Sequence, residues 1–295
     1  MPNLKEVRSR ISSTQSTQQI TKAMKLVSAT KLRKAQGAIT KMRPYAEKLN
    51  EILVNLGDSA KDDDMLKAYF DYREPKKALV VVVSSDRGLC GAFNSNVIKA
   101  TKKLIADRYE ANNIEFELMF IGKKAYDPFK RGDFNLNTDH MAHLLDINAE
   151  NTFAVAEEII ERYKTGEFDE VRVIYNHFKN AATQLVKVEK LLPVEMEKYT
   201  SKEESNDLAT DYIFEPGKAE ILYDLVPRAI KTQLFKACLD SLASEHGARM
   251  VAMDKATENA GELIEKLKLK YNQARQAAIT GEILEIVGGA AALEA

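Results

Sequence analysis

The chain has 295 residues, of which 45% are hydrophobic and 29% charged, so it is long enough to bury one large core or two modest ones. Its formal net charge of −1 hides an uneven distribution. Residues 1–50 carry nine more basic than acidic residues, residues 51–217 carry nine more acidic than basic ones, and residues 218–295 are nearly balanced. The basic N-terminal segment of this globular chain predicts an anionic partner, either a nucleic acid or an acidic protein surface.

The two cysteines and the lack of long apolar runs indicate in which cellular compartment the protein lies. Cys90 and Cys238 lie far apart and form no CxxC pair, which argues against a disulfide framework and a zinc site. No stretch approaches the ~20 apolar residues that span a bilayer, and the start shows neither a secretory signal nor a transit peptide. We therefore expect a cytoplasmic protein of bacterial source that docks on a membrane complex.

The N-terminal segment, residues 1–57, is predicted to form a coiled-coil helix. A polar run at residues 12–19 interrupts its early apolar period, and Pro44 should bend the helix without ending it. From Leu32 onward the apolar positions alternate steps of three and four: Leu32, Ala35, Ile39, Met42, Ala46, Leu49, Leu53 and Leu56.

The C-terminal segment, residues 217–295, shows the same alternation. The helix should begin after Gly217 and continue to about Val287, some 70 residues or roughly 105 Å. Neither helix can bury its seam alone, so we expect the two chain ends to pair antiparallel. Several seam residues of the C-terminal helix are small enough for the two helix backbones to approach closely. The seam positions of this helix are Met250, Met253, Thr257, Ala260, Ile264, Leu267, Tyr271, Ala274 and Ala278.

Residues 76–197 alternate strands with helices, which predicts a mostly parallel sheet covered on its faces. We expect strands at residues 78–84, 114–121, 171–176 and 185–191, and helices at residues 94–108 and 152–163. Residues 57–76 and 198–217 are interpreted as linkers.

Three motifs invite a chemical interpretation. The loop SSDRGLCG at residues 84–91 follows the first strand, yet it matches neither GxGxxG nor a P-loop, so we expect a structural loop and no cofactor site. His140, His143, His177 and His246 are expected to be ordinary surface or loop histidines. Asp62, Asp63 and Asp64 lack the glycine and glutamate of a calcium loop, so they are interpreted as solvated linker residues, and we expect no metal site.

The basic face of the first helix is more informative. No acidic residue occurs from Val7 to Ala46, and charge this unbalanced repels itself unless a partner supplies anions. Nucleic-acid binding would predict stacking aromatics, but Tyr45 is the only aromatic in residues 1–50. An acidic protein loop is therefore the favoured partner of Lys22, Lys25, Lys31, Arg33 and Lys34.

Four stretches together resemble one family over nearly the whole chain: the gamma subunits of bacterial and mitochondrial F-type ATP synthases. The stretches are ITKAMKLVSATKLRKAQ from residue 20, SSDRGLCGAFNSN from residue 84, SEHGARMVAMDKATENAGELI from residue 244 and YNQARQAAITGEILEIVGGAAAL from residue 271. The resemblance implies an antiparallel coiled-coil shaft on a Rossmann-like α/β foot. It also implies a non-catalytic rotor, driven by proton or sodium flow, whose partners are three alpha and three beta subunits, epsilon and the membrane c-ring.

The same resemblance implies contact residues but no cofactor and no small-molecule ligand. Met24, Lys25, Lys31 and Arg33 fall where the family meets the acidic loops of the beta subunits. The C-terminal helix would contact beta through Arg249, Arg275, Gln276, Thr280 and Glu282. Tyr212 and Glu215 lie near where the family foot touches the membrane ring, and residues 286–295 resemble the end held in an apolar bearing.

Some features depart from the family. Gly247 and Gly281 replace bulkier residues, which suggests a locally compliant shaft, since each glycine costs roughly 1 kcal/mol of helix stability relative to alanine. The chloroplast cysteine insert is absent, so thiol regulation is not expected. Two rival interpretations remain open from the residues alone: a nucleotide-binding α/β enzyme and a basic coiled-coil scaffold for nucleic acid.

Overall fold

A computed structural model describes residues 4–60, 64–70, 72–194 and 217–294. The helices are α1 Leu4–Ala60, α2 Asp64–Phe70, α3 Phe93–Leu104, α4 Tyr126–Phe129, α5 Ala149–Lys164 and α6 Lys218–Glu294. A π-helical turn, Ile105–Glu110, follows α3, and a 3-10 turn, His143–Asp146, precedes α5. The strands are β1 Lys77–Val83, β2 Glu115–Ile121, β3 Asn135–Asn137, β4 Glu170–Phe178 and β5 Gln184–Leu192.

The chain divides into two compact units. We call Ala29–Ala248 the α/β unit, and Met1–Ser28 together with Arg249–Ala295 the paired-helix unit. The long helices α1 and α6 each contribute residues to both units.

The sheet of the α/β unit has the strand order β3-β2-β1-β4-β5. The pairs β1–β2, β1–β4 and β2–β3 are parallel, and β4–β5 is antiparallel. In the central register Val80 of β1 lies opposite Leu118 of β2 and Arg172 of β4. The predicted mostly parallel sheet with helices is confirmed.

Both faces of β1 are buried from Ala78 to Val83, which explains the unbroken apolar run ALVVVV. Leu79, Val81 and Val83 pack in one cluster with α5 and with Leu222–Cys238 residues of α6. Ala78, Val80 and Val82 face the other cluster, which contains Val97 of α3 and Tyr109 of the π-helical turn. Because side chains alternate across a strand, a strand covered on both faces is apolar at every position.

The carboxyl end of β2 closes against β1 at a glycine. Gly122 has φ +96, and a Cβ there would lie 2.0 Å from the Ser84 carbonyl oxygen. Ser84 Oγ also donates a hydrogen bond to the Gly122 carbonyl at 3.1 Å and accepts one from the Ala125 amide at 3.0 Å. Only glycine fits both the backbone conformation and the approach.

The predicted long helices are both present. The helix α1 continues through Pro44, as expected, while the bend at that residue stays a prediction. The helix α6 begins directly after Gly217 and continues to Glu294, past the expected end near Val287.

Two local expectations were wrong or incomplete. Residues 57–76 are not an irregular linker: α1 reaches Ala60 and α2 buries Leu66 and Tyr69 in the sheet core. Sequence analysis missed β3, a polar strand of three residues paired with β2. Asp62 and Asp63, and the second linker before Gly217, lie outside the described residues.

Candidate functional site

The paired-helix unit joins α1 and α6 through side-chain contacts in one register. Lys25 Nζ lies 2.6 Å from Asp254 Oδ1, and the hydroxyls of Thr21 and Thr257 are 2.8 Å apart. Gln18 Nε2 donates a hydrogen bond to the Thr257 carbonyl at 3.3 Å. From Lys25 through Thr21 to Gln18 on α1, the contacted residue on α6 changes from Asp254 to Thr257 and then stays at Thr257. The two helices are therefore antiparallel, which confirms the predicted pairing.

The seam of this unit contains both apolar and polar residues. Its buried apolar residues include Val7, Ile264 and Leu267. Near Gln18 a Cβ on Gly261 would stand 3.1 Å from the Gln18 amide nitrogen, so Gly261 makes room for that long polar side chain. The polar run at residues 12–19 therefore does not end the pairing; Gln18 and Thr21 are accommodated in it.

The predicted contact residues of α1 fall into both units. Met24 and Lys25 belong to the paired-helix unit, where both are half-buried and Lys25 already pairs with Asp254. Lys31 and Arg33 belong to the α/β unit, where both side chains are exposed. Sequence analysis missed Asp254; its position on the opposite helix could have been found only from the register.

The predicted contact residues of α6 separate into two kinds. Arg275, Gln276, Thr280 and Glu282 are all exposed, and the Thr280 hydroxyl donates to the Gln276 carbonyl at 2.9 Å. Arg249 is different, since only 8% of its surface is exposed. The chain itself covers most of the Arg249 side chain.

The last turns of α6 expose large apolar side chains. The register that pairs Lys25 with Asp254 places Leu4 opposite about residue 275, so the rest of α6 extends past the described start of α1. Exposed apolar side chains on one helix end indicate a protein contact. Between 47% and 71% of the surface remains exposed at Ile279, Ile283, Leu284, Ile286 and Val287.

The carboxyl edge of the sheet is the other candidate site, since α/β folds bind ligands there. Part of this edge is filled by α6 itself. Ser244 Oγ donates to the Asn176 carbonyl at 3.0 Å, and Ala248 packs in a buried cluster with Cys90 and Phe93. The space that a ligand would use above β1 and β4 is thus occupied by the chain's own helix.

The loop at residues 84–91 is held by its own polar side chains. Asn94 Oδ1 accepts from the Ser85 amide at 3.0 Å, and Asn94 Nδ2 donates to Ser85 Oγ at 2.7 Å. Ser85 Oγ donates in turn to the Arg87 carbonyl at 2.7 Å. Burial raises the pKa of the Asp86 carboxyl, and the neighbouring Lys123 opposes that shift.

The histidines make pairwise contacts. His140 Nε2 lies 2.9 Å from Glu158 Oε2, His143 Nε2 lies 2.8 Å from Thr152 Oγ1, and burial lowers the His143 pKa. The expectation of surface or loop positions was wrong for two of them. His177 lies on β4 with its Nδ1 2.6 Å from the buried Asp240 Oδ2, and His246 is buried on α6.

Three further findings concern metal ligands, membrane-spanning helices and the predicted ring-contact residues. Within the described ranges, no three histidine, cysteine, aspartate or glutamate side chains gather as ligands for a metal ion. No helix among those ranges has the length and apolar character needed to cross a membrane. Tyr212 and Glu215 lie outside the described residues.

Comparison with known proteins gives one consistent result. The sequence model of the family described as ATP synthase matches residues 3–293. The chain is 53% identical over 293 residues to the ATP synthase gamma chain of Christiangramia forsetii, covering 99% of each. It is 50% identical over 297 residues to the gamma chain of Cytophaga hutchinsonii, again covering 99% of each.

Solved structures agree. The central stalk and c-ring structure of the Tetrahymena thermophila mitochondrial ATP synthase contains a chain with a TM-score of 0.54 and 26% identity, matched over 80% of this chain and 99% of that one. A chain from the OSCP/F1/c-ring structure of the Euglena gracilis enzyme has a TM-score of 0.63 at 19% identity, over 98% of this chain and 94% of that one, which shows likeness of fold.

Proposed function

This chain belongs to the ATP synthase gamma chain family and is a central-stalk subunit of an F-type ATP synthase, and from this premise we propose that it is the turning shaft of that complex. The shaft carries torque between an ion-driven membrane ring and the nucleotide sites of other subunits. Its own chain performs no chemistry. The observation that carries the proposal is the antiparallel pairing of the two chain ends, fixed by the Lys25–Asp254 and Thr21–Thr257 contacts.

Two features of the chain support a mechanical role. In the paired-helix unit α6 is helical from residue 249 to 294, about 70 Å at 1.5 Å per residue. In the α/β unit, Ser244 and Ala248 of α6 fill the edge of the sheet where a nucleotide enzyme would bind its ligand. A structural role in the complex accounts for both the long helix and the filled edge of the sheet.

Coupling by a shaft requires contacts that differ between its angular positions. A shaft that interacted equally with every conformation of its neighbours would shift no populations. We assign the differential contacts to Met24, Lys25, Lys31 and Arg33 on α1 and to Arg275, Gln276, Thr280 and Glu282 on α6. Arg249 is assigned to the same machinery, but as a buried residue it acts by positioning α6.

The partners follow from this assignment. The basic stretch of α1 meets acidic loops of three beta subunits, which alternate with three alpha subunits. The α/β unit meets epsilon and the membrane c-ring, with Tyr212 and Glu215 proposed at the ring contact. The chain is then a peripheral protein on the cytoplasmic side of a bacterial inner membrane, driven by protons or sodium ions.

The test compares Arg275→Ala with Lys268→Ala in the whole complex. Both residues are exposed cations on α6, but only Arg275 is assigned to a contact. Loss of a contact made at some shaft angles should lower ion pumping per ATP hydrolysed, with the complex still assembled. Lys268→Ala should pump as the native complex does. Equal pumping by both variants and the native complex would remove Arg275 from the machinery, and failure of the native chain to join alpha and beta subunits would reject the function itself.

A further inference from the structure

In the paired-helix unit, the seam of α1 is mostly polar. From residue 4 to residue 28 every third or fourth residue is buried or half-buried, and the residues between these seam positions are exposed, apart from Met24. The last five seam positions of α1 in this unit are all polar. In chain order the seam positions are Leu4, Val7, Ile11, Thr14, Gln18, Thr21, Lys25 and Ser28.

The apolar side chains of the same stretch lie on the outside of the pair. Ile20, Leu26 and Val27 are 59%, 63% and 56% exposed. An ordinary coiled coil does the opposite, since it buries apolar seam residues and exposes polar ones. Burial of apolar side chains of α1 therefore does not explain the alignment of the two helices in this section.

Polar side chains of both helices meet here, and we call Gln18, Thr21 and Thr257 the polar layer. Thr257 Oγ1 donates to the Met253 carbonyl at 2.7 Å, so the Thr21 hydroxyl, 2.8 Å away, can donate to Thr257. Gln18 Nε2 donates to the Thr257 carbonyl at 3.3 Å in the space beside Gly261. Only 8% of Thr21 is exposed, so its hydroxyl is largely shielded from water and needs a partner within the chain.

The apolar seam residues of α1 fit a second register equally well. With Thr21 opposite Thr257, the three apolar residues of α1 lie opposite apolar or aromatic residues of α6. A slip by one heptad, about 10 Å, would place the same three opposite apolar residues again. The observed register pairs Ile11 with Leu267, Val7 with Tyr271 and Leu4 with Ala274. The slipped register would pair Ile11 with Ala260, Val7 with Ile264 and Leu4 with Leu267.

The polar layer does distinguish the two registers. After the slip, Thr21 would face Met250, which offers no hydroxyl. Thr257 would face Thr14, whose own hydroxyl already donates to the Arg10 carbonyl at 2.8 Å. Polar seam residues that find partners in one register alone are the best-attested means by which coiled coils select a register.

We propose that the polar layer fixes the register of α1 against α6, while the apolar seam residues favour pairing without choosing the register. Gln18, Thr21 and Thr257 are then positioning residues. They set the heights along the paired helices at which Met24 of α1 and Arg275 of α6 stand. This last consequence rests on the proposed function, whereas the register itself does not.

The test compares two disulfides in the full chain. Ile11→Cys/Leu267→Cys reports the observed register, and Ile11→Cys/Ala260→Cys reports the slipped one. The two partners on α6 are one heptad apart, so one register brings only one of them within disulfide reach of residue 11. Each chain is equilibrated in a glutathione redox buffer, and the bridged fraction is measured on a non-reducing gel. In the native background the first disulfide should exceed the second by about tenfold or more.

The variant Gln18→Leu/Thr21→Val/Thr257→Val removes the polar layer at nearly constant shape. We expect the ratio of the two disulfides to fall by about tenfold, towards equal amounts, because the hydrogen bonds that select the register are gone. The urea midpoint should not fall, because apolar residues of similar volume keep the packing.

Two controls separate hydrogen bonding from shape and position. Thr21→Ser/Thr257→Ser keeps both hydroxyls and should keep the native ratio of disulfides. Thr17→Val removes an exposed hydroxyl outside the seam, which donates to the Ser13 carbonyl at 2.9 Å, and it should leave the ratio unchanged.

Each contrary outcome has a definite meaning. An unchanged ratio in the triple variant would assign the register to the apolar residues or to the Lys25 ion pair, and would reject the proposal. A lower urea midpoint with both disulfides lost would show that the polar layer stabilises the pairing and does not select its register. A native-like ratio that disappears in the serine variant would contradict the role of the hydroxyls.

A separate measurement concerns the proposed function. In the whole complex, the triple variant should pump fewer ions per ATP hydrolysed, since a slip displaces the contact residues of the two helices by about 10 Å relative to each other. If the disulfides show the slip and pumping stays native, the assignment of Met24 and Arg275 to the contacts fails and the register proposal stands.

Discussion

A single buried thiol makes the stability of the folded chain depend on pH at alkaline values. Cys238 is fully buried on α6, and burial raises its pKa from the ordinary 9.0 to about 12. The folded state therefore keeps its proton at pH values where the unfolded state loses it. Stability linked to this thiol is complete below pH 9 and is lost between pH 9 and about 12.

We expect Cys238→Ala to flatten the fall of unfolding free energy over that interval. Burial also raises the pKa of Tyr109 and Tyr175, so the comparison is made between the variant and the native chain under the same conditions. Urea unfolding at a series of pH values measures the slope. An unchanged slope in the variant would show that the thiol does not contribute.

The ion pair between Lys25 and Asp254 should contribute little to stability despite its short distance. The two side chains are 38% and 58% exposed, so water screens their attraction. We expect Asp254→Ala to lower the unfolding free energy by less than about 1 kcal/mol. A double-mutant cycle with Lys25→Ala measures the coupling; a coupling above about 2 kcal/mol would mean that the pair is more desolvated than this structure shows.

At the scale of elements, the two unusual glycines of α6 have different roles. A Cβ on Gly247 would lie 3.2 Å from Ala181 Cα and 3.3 Å from the Phe178 ring, so α6 passes close to the β4–β5 connection there. Nothing lies within 4 Å of the corresponding point at Gly281. The suggestion of a compliant shaft therefore concerns Gly281 alone, while Gly247 is explained by packing.

The same substitution at both glycines tests this difference. We expect Gly247→Leu to destabilise the chain by about 1–3 kcal/mol through overpacking. We expect Gly281→Leu to slow amide exchange around residue 281 about fivefold, because leucine favours a helix by roughly 1 kcal/mol over glycine. Hydrogen exchange and urea unfolding of both variants measure this. A stable Gly247→Leu variant would show that the connection can move aside.

The pairing of α1 with α6 has its own test. The hydroxyls of Thr21 and Thr257 are 2.8 Å apart, so cysteines at both positions come within disulfide reach. Oxidised Thr21→Cys/Thr257→Cys should give an internally bridged monomer on a non-reducing gel. Thr14→Cys/Thr257→Cys, about two turns out of register on α1, is the control and should stay reduced. Crosslinks only between chains would instead indicate a dimeric scaffold.

At the scale of the whole molecule, periodicity predicted most of the architecture. The long seams identified α1 and α6, and the β-branched run identified β1, because these patterns are local and repeat many times. Features that depend on contacts distant in sequence were not predictable. Asp254 opposite Lys25, Gly247 against Ala181 and the short polar strand β3 leave no pattern in their own segments.

The candidate site was predictable to a smaller extent. Charge counts indicated a basic face, and the exposed Lys31 and Arg33 agree with it, but burial of Arg249 could not be seen from one sequence. The assignment of these residues to contacts with beta subunits comes from the family resemblance and stays a prediction. Tyr212 and Glu215 remain predictions as well.

The most direct test of the proposed function is whether this chain turns inside the complex. Cys90 and Cys238 are both buried, so a Ser95→Cys substitution on the exposed surface of α3 gives a selective attachment point for an optical probe. With the alpha and beta subunits fixed to a surface, ATP should drive the probe in one direction, with pauses at three evenly spaced angles. ATP hydrolysis by a complex that contains the labelled chain, with the probe stationary, would contradict the account.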